Sequence, residues 1–236
     1  MFFNETTRKA DFQNGVIILI DKPYKWSSFD VIRKIKSLLR YELDLKKIKV
    51  GHGGTLDPLA TGLMIVATGK KTKQLFDIQG QDKEYIANIR LGATSPSYDL
   101  ETEVDSTFSI EGLTKAKIEK ALLSFVGEIE QYPPRFSAKK IDGKRAYEFA
   151  RKGKDVEMKP SNITIHEIEL LNFDLPDIIV RVRCSKGTYI RSLAHDIGTS
   201  LNNGGLLAGL QRTKSGEYEL NKALSVVKFE DQIKKI

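Results

Sequence analysis

The chain has 236 residues, 40% hydrophobic and 29% charged, the balance of a folded globular protein. No apolar run reaches the ~18 residues of a membrane span, and MFFNETTRKADFQNG lacks the basic-then-apolar layout of a secretory signal. The expected location is therefore the cytoplasm, with no membrane partner. One cysteine excludes a disulfide framework, the three histidines have no zinc spacing, and a net charge of +7 favours a polyanionic partner.

In chain order, GVIILI (15–20) reads as a strand, short and rich in β-branched residues. Ser27 or Ser28 then caps a helix whose inward stripe is Val31, Ile32, Ile35, Leu38 and Leu39. LMIVAT (63–68) is a buried strand. KEYIANIRLG (83–92) alternates, with Tyr85, Ala87, Ile89 and Leu91 on one face. Thr114 caps a helix through Phe125, with Ile118, Leu122 and Phe125 inward. NITIHEIELLNF and DIIVRVRCS alternate and are separated by a short loop, which predicts an antiparallel pair. TYIRSLAHDIG is helical, burying Ile190, Leu193, Ala194 and Ile197. Few, irregularly placed helices among neighbouring strands predict an α+β fold: a mixed, mostly antiparallel sheet flanked by helices and loops. With no repeat, low-complexity segment or linker, residues 1–236 read as one domain.

GHGGTLDPLATGLMIVATG (51–69) is the richest stretch in chemistry. Asp57 before Pro58 has two readings. One is a helix start, the carboxylate capping amides and proline suiting the first turn. The other is a positioned carboxylate, since Gly53, Gly54 and Gly62 permit backbone shapes closed to other residues and close ligand approach. The stretch is neither a phosphate-cradling GxxxxGK[ST] nor a dinucleotide GxGxxG, and no GxSxG elbow exists, so no cofactor is expected. Residues 135–159 concentrate Arg135, Lys139, Lys140, Lys144, Arg145, Arg151, Lys152, Lys154 and Lys159 around Phe136 and Tyr147. That is either a solvated helix and loop or a grip on single-stranded RNA through phosphates and stacked bases. In RCSKGTYIRSLAHDIG (183–198), Arg191 lies off the apolar stripe, either exposed or meeting a carboxylate at the helix entrance.

Together these segments resemble the bacterial tRNA pseudouridine-55 synthases, the TruB family. GVIILIDKP is similar to the family's opening strand and Asp-Lys-Pro turn, and GHGGTLDPLATGLMIVATG to its signature nearly residue for residue. KEYIANIRLG is similar to the segment with its active-site tyrosine, SAKKIDGKRAYEFARKG to its RNA-contacting thumb, and RCSKGTYIR to its arginine motif. The resemblance implies a pseudouridine synthase fold. It implies Asp57 as the catalytic aspartate, Tyr85 as the active-site tyrosine and Arg191 as the arginine paired with the aspartate. His52 would reach into the tRNA T-loop and Lys22 would lie beside the site. Lys144, Arg145 and Lys152 in the thumb (133–160), and Arg212 in LQRT, would contact RNA.

The implied reaction detaches uracil from its ribose, rotates the base and rejoins it through carbon 5, with no cofactor and no metal. Such chemistry calls for an ionised carboxylate, as nucleophile or as stabiliser of an electron-poor sugar, which a guanidinium keeps charged. The expected partner is the T-stem-loop of tRNA, its uridine flipped out, with no obligate protein partner. A pseudouridine synthase for another RNA, or an added tRNA-folding role without catalysis, are the alternatives. The chain departs from the family at Lys25-Trp26 (usually glycine at 25), at Gln211 (usually arginine) and at Leu206 (usually histidine). The turn at 25 is expected to differ in backbone, one phosphate contact to be altered, and the family's C-terminal RNA-binding domain to be absent.

Overall fold

The computed structural model describes residues 1–134, 136–137, 140–141, 144–146, 149 and 158–236, with the backbone alone at 140, 141, 144 and 145. In chain order the elements are α1 (Lys9–Asn14), β1 (Ile17–Lys22), α2 (Ser28–Tyr41), β2 (Val50–His52), β3 (Ala60–Thr68), a 3-10 turn (Gly69–Gln74), α3 (Leu75–Gly80) and β4 (Lys83–Leu91). Next come β5 (Ala93–Thr94), β6 (Ser106–Thr107), α4 (Lys115–Leu123), β7 (Gly127–Gln131), β8 (Lys140–Ile141), β9 (Lys144–Arg145) and β10 (Ser161–Asp174). The chain closes with β11 (Asp177–Cys184), α5 (Ile190–Ser200), β12 (Gly205–Ser215), β13 (Tyr218–Glu219), β14 (Leu224–Ser225) and α6 (Val226–Ile233). The α+β class expected from the sequence is observed.

The chain divides into two compact units, Met1–Tyr85 with Gln211–Ile236, and Ile86–Leu210. In the first, β1 lies between β3, antiparallel, and β14, parallel, so its sheet is mixed. β2 pairs antiparallel with β3, setting His52 opposite Val66. β1 and β3 are buried on both faces. Ile18 and Ile20 of β1 pack with Val31, Ile35, Leu38 and Leu39 of α2 and Phe229 of α6, while Ile17 packs with Leu63, Ile65, Leu75 and Ile78. Each fully buried apolar side chain contributes about 1.5–3 kcal/mol, so the α2 stripe alone fixes that helix on the sheet. Ser27 starts α2 as a capping box, its side chain accepting from the Asp30 amide while Asp30 reaches back to Ser27 N.

In the second unit β10 pairs antiparallel with β7 and β11, with register shifts at Ile165/Glu167 and Leu170/Asn172. Thr114 caps α4, which ends at Leu123 rather than Phe125. Phe125 N and Val126 N there donate to the carbonyls of Leu122 and Leu123, the i→i+3 tightening that closes a last turn, and Phe125 sits half-buried outside the helix. α5 buries Ile190, Leu193, Ala194 and Ile197 as its spacing requires.

Candidate active site

Two groups of predicted site residues fall in the two units. In the first unit no helix follows Asp57: residues 53–59 form an irregular loop that turns straight into β3, with Ala60 N donating to Asp57 O at 3.1 Å. The helix-start reading is therefore set aside. The loop is tied down at successive points. Gly53 N donates to Ile65 O at 2.8 Å, and Ser28 Oγ both accepts from Leu56 N (2.8 Å) and donates to Leu56 O (2.9 Å). Lys25 N donates to Pro58 O at 2.9 Å. Lys22 Nζ donates to Trp26 O and Pro23 O, with a longer contact of 3.4 Å to Pro58 O. On the other side Arg212 donates from Nε to Leu63 O at 2.7 Å and from Nη2 to Gly54 O at 3.2 Å.

Two glycines make the packing possible. A Cβ on Gly62 would lie 2.4 Å from Arg212 O, and its φ of +98° suits glycine. A Cβ on Gly53 would lie 2.6 Å from Ile78 Cγ2. Lys25, where the family usually has glycine, takes φ +65°, so this lysine adopts the left-handed turn that glycine favours. The expected change of backbone is not needed.

Asp57 is half-buried at the end of this scaffold. Lys22 is fully buried; burial pushes its ammonium down to about 8, while the Asp57 carboxylate opposes the shift. His52 is half-buried on β2, its carbonyl accepting from Gln79 Nε2 at 3.2 Å. Burial lowers the pKa of its imidazole, a backbone hydrogen bond at Gly54 opposes this, and the Arg212 charge adds to the lowering. Among the described residues its buried Nδ1 has no hydrogen-bond partner. Tyr85 is 8% exposed, on the inward-alternating face of β4. Arg212, expected to touch RNA, is instead 2% exposed, and its fork is occupied by two main-chain carbonyls of the Asp57 scaffold. Gln211 beside it is exposed, and Leu206, at the position of the family's histidine, is core.

In the second unit Arg191 is not at the surface but 4% exposed in the first turn of α5. Its Nε lies 3.7 Å from Asp99 Oδ2, Nη1 donates to Ser97 O at 3.3 Å, and Nη2 to Phe136 O at 2.9 Å. Asp99 is itself buried and accepts from Ser97 Oγ (2.6 Å) and Glu101 N (2.9 Å). This carboxylate was missed by sequence reasoning, as were Ser28 and the bracing role of Arg212. The tight SPSYDLE turn (95–101), with Asp99 two residues before the Glu101 amide that donates to it, is the signal that marks it. Of the thumb, Lys152 lies outside the described residues, and Lys144 and Arg145 form β9, paired with β8. Among the described residues no group of three or more His, Cys, Asp or Glu is placed to hold a metal ion, and no helix is long and apolar enough to cross a membrane.

The solved structures that this chain is similar to include a chain of a Cbf5–Nop10–Gar1 complex, at TM-score 0.73 and 29% identity over 96% of this chain and 57% of that one. A chain of an H/ACA RNP bound to a substrate RNA containing 2′-deoxyuridine matches at TM-score 0.70 and 28% identity, over 97% and 57%. The present chain thus spans little more than half of those neighbours. A fold of this kind around a braced aspartate loop defines the class, a pseudouridine synthase, which is an isomerase. The profile of the TruB family pseudouridylate synthase N-terminal domain matches residues 40–190, and the chain belongs to that family. Among its relatives, a tRNA pseudouridine synthase B of Phocaeicola vulgatus is 56% identical over 219 residues, 93% of each chain. One from Flavobacterium johnsoniae is 50% identical over 224 residues, 94% of this chain and 98% of that protein.

Proposed function

We propose that this protein converts uridine 55 in the T-loop of tRNA to pseudouridine, in the cytoplasm where that substrate is made. The observation that carries the reading is the Asp57 loop. A carboxylate followed by proline is tied to β1, α2, β3 and β12 by backbone-directed hydrogen bonds, within the residues that the TruB family model matches. A carboxylate held this way meets a flipped nucleotide without reorganising, which is where electrostatic catalysis gains most.

In the proposed reaction Asp57 acts on the target nucleotide as the N1–C1′ bond breaks. The base rotates, a C5–C1′ bond forms, N1 ends protonated and the C5 proton leaves to solvent, so the change is redox-neutral. Tyr85 supplies a flat face for the detached base and a hydroxyl to assist removal of the C5 proton. Arg191 supplies positive charge that offsets the negative charge developing in the reaction. His52, with its imidazole pKa lowered by burial and its Nδ1 unpartnered among the described residues, occupies the space the flipped base leaves. Lys22 braces the loop and contributes positive charge. Lys144, Arg145 and Lys152 clamp the RNA.

The test is tritium release from unmodified tRNA labelled at uridine carbon 5. Wild type releases tritium and Asp57→Asn does not, while Asp57→Asn still binds tRNA. Release by Asp57→Asn at the wild-type rate would remove Asp57 from the mechanism. Release undiminished from a tRNA carrying cytidine at position 55 would move the activity to another uridine.

A further inference from the structure

In the second unit a buried polar side chain holds the entrance of α5. Gln131 is the last residue of β7, 2% exposed, with its main chain fixed opposite Ser161 of β10. Its carboxamide reaches across 58 positions of chain: Oε1 accepts from Tyr189 N at 2.8 Å, and Nε2 donates to Tyr189 O at 3.1 Å. A carboxamide carries the donor and the acceptor of a peptide unit. The pair therefore reproduces the double exchange of a hydrogen-bonded antiparallel rung, made by one side chain. Tyr189 is the N-cap of α5 and has no side-chain cap of its own, and its carbonyl also takes the first bond of the helix, from Leu193 N at 3.1 Å. A second tie lies beside it, where Ser192 Oγ donates to Tyr132 O at 2.7 Å. Gln131 and Tyr132 thus grip α5 on both sides of Arg191, whose guanidinium meets Ser97 O, Phe136 O and the Asp99 carboxylate. The turn leading in, residues 185–188, gives no such hold: Lys186 and Gly187 are exposed, and a Cβ on Gly187 would meet nothing within 4 Å.

We propose that Gln131 is a positioning residue for the reaction: by holding the main chain of Tyr189 it sets where α5 begins, and so where Arg191 presents its charge. The inference rests on the pseudouridine-forming reading above. The carboxamide is specific for this task. A methionine of similar shape fills the site and loses both bonds. An ionised glutamate keeps the acceptor, loses the donor and sets a negative charge against Tyr189 O. Either change frees the first turn of α5 to shift, and a displacement on the order of 1 Å slows an oriented reaction about a hundredfold.

The experiment compares Gln131→Met with wild type by single-turnover tritium release, tRNA binding and thermal melting. Release should slow about 10–100-fold while tRNA binding stays within about twofold, the split expected when orientation rather than affinity is lost. A release rate within about twofold of wild type, in a variant that melts lower, would mean packing alone and would overturn the role. Gln131→Glu gives a signature that lost packing does not. Its protonated carboxyl has the donor and acceptor of the amide, so its rate relative to wild type should recover as pH falls through the raised pKa of a buried acid. A ratio that does not change with pH would overturn the pairing. In an Arg191→Lys background Gln131→Met should slow release far less than it does in wild type, since both changes act through one side chain; independent effects would break the link to Arg191. If Gln131→Met does not fold, Ser192→Ala, which removes the companion tie to Tyr132 O, should show the same slowing in smaller measure, and a wild-type rate there would count against the role. Wild type without tritium release would refute the reaction assigned above and this role with it. An active wild type matched by Gln131→Met would refute this role alone.

Discussion

Arg212 gives a sharp discrimination, because the family resemblance places it against RNA and the geometry places it against the chain itself. In Arg212→Met the apolar stem is kept to about the Nε position and both donors are lost, leaving the carbonyls of Leu63 and Gly54 short of a partner. A hydrogen bond from a charged donor contributes about 1.5–3 kcal/mol. Counting the 2.7 Å bond to Leu63 O in full and the 3.2 Å bond to Gly54 O at about half gives a loss of roughly 3 kcal/mol. For a chain of this size that lowers Tm by about 6–12 °C. The loop carrying Asp57 then loosens, and a misplacement on the order of 1 Å slows the chemical step about a hundredfold. Differential scanning calorimetry measures the first effect and single-turnover tritium release the second. Arg212→Lys should fall between, since one ammonium cannot reach both carbonyls as a planar fork does. If Arg212→Met melts within about 2 °C of wild type while tRNA binding loses salt dependence, the residue is a phosphate contact and the bracing argument fails.

Gly62→Ala puts a methyl 2.4 Å from Arg212 O at φ +98°; backbone strain and overpacking together should cost about 2–6 kcal/mol in urea melts. Gly80→Ala, with nothing within 4 Å of its new Cβ, should change stability by less than about 1 kcal/mol. Equal costs at the two glycines would sink the close-approach argument. Lys25→Gly should gain about 0.5–1 kcal/mol by relieving the left-handed φ of +65°, net of glycine's entropy. A loss there would mean that the Lys25 ammonium over the Tyr24 ring, at 5.7 Å, outweighs the strain. Asp196 carries a pKa raised by burial from 3.8 to about 6, so the folded state holds its proton where the unfolded state has released it. Its protonated form is the favoured one when folded, so stability falls as pH rises from about 4 to about 6 and is level above that. Asp196→Asn should therefore be more stable than wild type by about 3 kcal/mol at pH 8, with the gap closing near pH 4. A gap independent of pH would refute the burial of that charge.

The elements were legible because their signals are local. β1, β3 and β4 follow from apolar runs and alternation, and α2 and α5 from stripes whose apolar residues are all buried. The ties that hold the candidate site were not legible. Lys22, Ser28 and Arg212 spend donors on main-chain carbonyls, at Pro58, Leu56, and Leu63 and Gly54 respectively. A carbonyl acceptor carries no residue identity, so no pairing of types marks it in a sequence, and several of these acceptors are tens of positions away. Arg191 shows the consequence. Periodicity places it off the α5 stripe, where exposure is the simple expectation, yet Ser97 reaches it across 94 positions of chain and its turn brings Asp99 too. Asp57 was recognisable from its motif, but whether its loop is loose or braced depends on donors whose role appears after folding. Lys22 and Arg212, buried basic residues that donate to main-chain carbonyls of the loop, are therefore the ones to perturb first, since each removes rigidity from the carboxylate while leaving every residue of its motif in place.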